Sequence, residues 1–70
     1  MNTIRNNETV EPGTLVINAT RGRVVREVIE TRKRTSYLEG RLKDPRTGRS
    51  VGWHYLDVMV RCDADGKVAL

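Results

Sequence analysis

The chain has 70 residues, 37% apolar and 31% charged, with thirteen Lys or Arg against nine Asp or Glu for a formal charge of +4. That length makes one small domain and leaves no room for a catalytic domain beside a cofactor domain. No apolar run exceeds three residues, which speaks against a membrane-spanning helix or a signal-peptide core, and the single Cys62 rules out an internal disulfide and fits a reducing cytoplasm.

Residues 1–11 carry few apolar side chains, and a flexible tail is expected there. Pro12-Gly13 signals a turn, and Thr14 to Ala19 reads as a strand with Leu15, Ile17 and Ala19 on one face. Residues 23–31 are ambiguous. Val24, Val25, Val28 and Ile29 suit an amphipathic helix over about 23–33, yet the β-branched content and the lack of a good N-cap favour a long, bent strand.

Ser36 to Lys43 alternates cleanly, with Leu38, Gly40 and Leu42 inward. Asp44-Pro45-Arg46-Thr47-Gly48 is a turn: Pro45 presets φ, the Asp44 side chain can bond its own backbone, and Gly48 exits. Arg49 to Tyr55 places Val51, Trp53 and Tyr55 on one face, so Trp53 is expected in the core, or else as the floor of a peptide groove. After a short turn at 55–57, Val58, Val60 and Cys62 form an inward set. Asp63 to Gly66 turns the chain into an edge strand at Lys67 to Leu70. The predicted organisation is a tail at 1–11, an all-β domain at 12–62 and a turn with an edge strand at 63–70.

Five short strands joined by Gly and Pro turns suggest a small closed or partly closed barrel. Pro12-Gly13-Thr14-Leu15-Val16, Gly22-Arg23-Val24-Val25, Tyr37-Leu38, Gly48-Arg49 and Trp53 to Val58 resemble the turn and apolar positions of SH3-like barrels of the KOW and Tudor kind. The resemblance covers roughly residues 12–62 and implies an all-β SH3-like fold, with a one-turn helix before the last strand.

Charge is concentrated in the middle. Residues 20–49 hold ten of the thirteen basic residues and four acids, a local charge of +6, while each end is slightly acidic. Arg32-Lys33-Arg34 is placed in the loop between the second and third strands. Arg21, Arg23, Arg26, Arg41, Lys43, Arg46 and Arg49 would gather if the middle strands pair as hairpins. Such a stripe can bind phosphates or an acidic protein surface. Glu27, Glu30 and Glu39 interleave with it and blunt the field, which suits a protein partner, where complementary charges fix register. Tyr37 alternates outward and can stack on that partner. The candidate binding residues are therefore Arg21, Arg23, Arg26, Arg32, Lys33, Arg34, Tyr37, Arg41, Arg46 and Arg49.

No enzyme is expected. His54 and Cys62 are the only His and Cys, and Cys62 alternates inward, so neither a nucleophile pair nor a zinc site is supplied. Asp63, Asp65 and Gly66 open like a calcium loop, but the further ligands are missing. No metal or cofactor is expected, and the chain is read as a monomer that acts by binding. As a short, Arg-rich, single-domain chain it also resembles the very small proteins with which lytic bacteriophages bind host RNA polymerase. That resemblance implies docking near the N-terminus of the largest subunit, inhibition of initiation and antitermination. The alternative is a small basic barrel that binds DNA or RNA directly.

Overall fold

The computed structural model describes residues 3–18 and 24–68. Its strands are β1 (Leu15–Asn18), β2 (Arg26–Lys33), β3 (Leu38–Lys43), β4 (Ser50–Tyr55) and β5 (Met59–Arg61). All pair antiparallel in one sheet of order β4-β3-β2-β1-β5. β2, β3 and β4 form a meander, and the chain then returns β5 to the far side of β1. The all-β expectation of five short strands holds, with a strand in place of the alternative helix. The expected end of the first strand at Ala19 lies outside the described residues. Among the described residues no helix is long and apolar enough to cross a membrane.

The turns follow their local chemistry. Gly13 takes φ of 94° and donates its N–H to the Val28 carbonyl (2.8 Å). At the β3–β4 turn, Asp44 Oδ1 accepts the Arg46 N–H at 2.8 Å and Gly48 donates to the Asp44 carbonyl. Asp63 Oδ1 accepts the N–H groups of Asp65 and Lys67, and Val68 then bridges back to Cys62.

Two bulges explain where simple alternation fails. In β2 the register shifts between Val28 and Glu30. Ile29 is the extra residue, so Val28 faces the core opposite Leu42 while Glu30 and Arg32 face out opposite Arg41 and Glu39. The mixed spacing that mimics a helix in this stretch comes from that insertion. In β4 the shift lies at Val51. Gly52 reaches φ of 90°, so Val51 packs against the core while Trp53 faces out opposite Arg41. Val51 and Trp53 therefore do not share a face, and Trp53 is half-buried outside the core cluster.

The core joins Ile4, Val10, Val16, Val28, Leu38, Leu42, Leu56 and Met59. Leu56 lies in the turn after β4 and folds back over the sheet onto Gly40. A Cβ built on Gly40 would stand 2.9 Å from both Leu56 methyls, so a glycine is needed there for the close approach. The N-terminal segment is not a detached tail. Ile4 and Val10 are core residues, Ile4 donates its N–H to Met59 O (2.8 Å), and Arg61 Nη1 donates to Glu8 at 2.9 Å. In so small a domain these apolar side chains are needed to complete the core.

β1 and β5 bury both faces. Val16 and Met59 join the main core, while Ile17 pairs with Val60 across the ladder outside it. Of the expected inward set of Val58, Val60 and Cys62, Val60 is fully buried and Cys62 half-buried, but Val58 is 46% exposed in the turn, and Met59 is the residue that joins the main core.

Candidate docking surface on the outer sheet face

Antiparallel pairing sets Arg32 opposite Glu39, Glu30 opposite Arg41, Arg41 opposite Trp53, and Glu39 opposite Tyr55. These side chains share the outer face of β2–β3–β4. The Arg32 guanidinium lies 3.9 Å from the centroid of the Trp53 ring and donates through Nε to Glu39 Oε1 at 2.8 Å. Arg34 Nε donates to the same oxygen at 3.0 Å. Arg41 Nη2 donates to Glu30 at 2.7 Å, and its Nε is shielded from solvent with no partner among the described residues. Tyr37 meets Tyr55 edge to face at 4.8 Å between centroids.

The result is an ordered surface of three arginines, two glutamates and three aromatic rings. A cation over an indole contributes about 0.5–1 kcal/mol at an exposed site. Arg32 is held twice, by the ring and by the carboxylate, so less side-chain freedom is lost when a partner binds. Hydrogen bonds from Arg32 and then Arg34 hold the Glu39 carboxyl below its ordinary value of 4.5. A carboxyl with a lowered folded value adds stability above its unfolded value and loses it as pH falls through the folded one. Glu39→Gln should therefore flatten the acid limb of a plot of thermal midpoint against pH, below the ordinary carboxyl value of 4.5. A limb as steep as that of the wild type would remove Glu39 from this role.

The other predicted residues are scattered. Arg26 and Arg46 each lie 3.8 Å from the Asp44 carboxylate at the β3–β4 turn. The backbone N–H of Arg46 is the main cause holding Asp44 below the usual carboxylate range. Lys43 pairs with Glu27 at 3.4 Å. Lys33 stands opposite Leu38, on the side away from Arg32, and Arg49 is exposed before β4; neither has an ion partner among the described residues. Arg21 and Arg23 lie outside the described residues. Arg32 and Lys33 belong to β2 itself, and the hairpin loop is closed by Arg34 N–H to the Tyr37 carbonyl (2.8 Å).

Of this face the sequence points to Arg32, Arg34, Arg41 and Tyr37; Trp53, expected in the core or as the floor of a peptide groove, and Glu30 and Glu39, expected only to blunt the field, are the members that it does not assign. The available signal was the outward alternation of Glu39 and Arg41 in β3. Among the described residues, no three His, Cys, Asp or Glu side chains come together to hold a metal. No protein-family model, curated protein or solved structure matches the chain.

Proposed function

We propose that the protein is a binding module that docks on a larger protein machine through the outer face of β2–β3–β4. The observation that carries this reading is Arg32, fixed between the Trp53 ring and the Glu39 carboxylate on an exposed strand surface. Each arginine on that face has a carboxylate beside it, so the face offers patterned charge rather than a uniform positive field. Patterned charge selects a complementary protein surface and fixes its register. Aromatic and Arg side chains are also the types most often found at energetic centres of interfaces.

Bacterial RNA polymerase is the partner implied by the phage-protein resemblance, through its largest subunit. Its expected consequences are loss of promoter use and read-through of terminators. A tagged pull-down from bacterial host lysate at physiological salt tests the identification. Recovery of polymerase subunits supports it, and their absence overturns it.

Direct binding to DNA or RNA is the second reading, favoured by guanidinium groups beside exposed aromatic rings, Tyr55 being 53% exposed. It predicts an affinity that falls steeply with salt, by a slope of about −0.9 per phosphate contact on duplex DNA. Gel shifts across a salt series separate the two readings. Retention that is flat with salt, or no shift at all, rejects the nucleic-acid reading.

A further inference from the structure

The sheet has two edges, and they are finished differently. At the β5 edge, Ile4 donates its N–H to Met59 O, and Val68 bridges to Cys62. At the β4 edge, no described strand follows. Leu56 donates its N–H to Leu38 O at 2.8 Å, so the alternate pair Gly40–His54 also exchanges its bonds within the β3–β4 ladder. Trp53 and Tyr55 consequently turn their N–H and C=O groups to the open side. His54 Nε2–H covers one edge group by donating to the Val51 carbonyl at 2.9 Å. No described backbone group covers those of Trp53 and Tyr55.

Edge strands are ordinarily guarded by charged side chains, Lys above all. β4 reads Ser-Val-Gly-Trp-His-Tyr and has none of Asp, Glu, Lys or Arg, in a chain that is 31% charged. Its charges stand just beyond the two ends, as Arg49 and Asp57. Neither makes an ion pair with a described residue.

We propose that β4 pairs antiparallel with β4 of a second copy, making a two-fold dimer centred on Trp53, in place of the monomer expected from the sequence. In that register, Trp53 lies opposite Trp53 of the second copy, and their outward N–H and C=O groups bond one another. The bulge at Val51, whose side chain stays on the core face, keeps the regular pairing short, and the antiparallel arrangement brings the end of one strand that carries Arg49 towards the end of the other that carries Asp57. The same contact repeats by symmetry, as an isologous interface requires. An unrelated extended peptide would also meet the open backbone, but the opposite charges at the two ends of one uncharged strand are complementary to themselves. The sheet and its outer face would run on through the dimer, doubling the surface proposed above to dock a partner. The pairing does not depend on that docking reading.

Sedimentation equilibrium on the full chain, up to about 1 mM, tests this, with Kd read from the mass average. The wild type should move from its 8.0 kDa chain mass toward twice that value as concentration rises. Arg49→Asp, at an exposed position without an ion partner, should weaken the dimer about tenfold or more. The swap Arg49→Asp with Asp57→Arg should restore it. Tyr55→Lys, which places a charge on the edge, should also weaken it, and circular dichroism checks that each variant is folded. A wild type that stays at 8.0 kDa throughout, a dimer indifferent to Arg49→Asp, or a swap no tighter than the single variant would overturn the proposal.

Discussion

Replacing Leu56 by Ala should cost the domain about 2–5 kcal/mol, measured by urea unfolding. Leu56 is fully buried, and its side chain is the only large one seated on the bare backbone of Gly40 among the atoms nearest that glycine. Removing it leaves a cavity that the flanking strands cannot close without shifting. A domain of this size rarely has more than about 3–5 kcal/mol in hand, so the variant should be largely unfolded at room temperature. Gly40→Ala attacks the same contact from the other side. Its methyl would stand 2.9 Å from both Leu56 methyls, so the fully buried leucine must shift, at a cost of about 1–3 kcal/mol. The two changes should not add. In the Leu56→Ala background the methyl introduced by Gly40→Ala enters the vacated space, so the double variant should be more stable than the sum of the single effects allows. Strict additivity would show that Leu56 does not pack on Gly40.

Ile4→Ala should cost about 2–5 kcal/mol by the same measurement. A detached tail would give no change, so this substitution separates the two views of the N-terminus. Ile4 is only 2% exposed, and its N–H is bonded to the edge strand β5. The loss should appear as a lower urea midpoint with little change in slope. The contact is missed in the sequence because Ile4 is an isolated apolar residue, without a periodic neighbour, among Thr3, Arg5, Asn6 and Asn7. Its burial is decided by a long-range meeting with Met59, and local pattern carries no record of that.

The same contrast runs through the fold. The turns at Pro12-Gly13, Asp44 to Gly48 and Asp63 to Gly66 were legible because their chemistry is local: a fixed φ, a side chain bonding backbone two residues on, a glycine at positive φ. β3 was legible because Leu38, Gly40 and Leu42 alternate without interruption, and all three are buried. β2 and β4 were less so, since each holds one extra residue that reverses the alternation midway. That reversal moved Trp53 from the expected core to the outer face and with it changed the site. Arg32, Arg34, Arg41 and Tyr37 could be named as binding candidates from charge and alternation alone. That Glu39 would tie two of these arginines together depended on cross-strand register, which a single strand does not encode.

The outer face of β2–β3–β4 is the surface proposed to meet the partner. Affinity for purified bacterial RNA polymerase, measured for wild type and for two sets of charge changes, tests it most directly. Arg32→Glu with Arg34→Glu removes both donors to Glu39 and reverses the face, and should weaken binding by about tenfold or more. Lys67→Glu, an exposed charge at the other end of the chain, should leave it within about twofold. Equal losses in the two, or binding unchanged when Arg32 and Arg34 are reversed in a folded protein, would show that this face does not meet the polymerase.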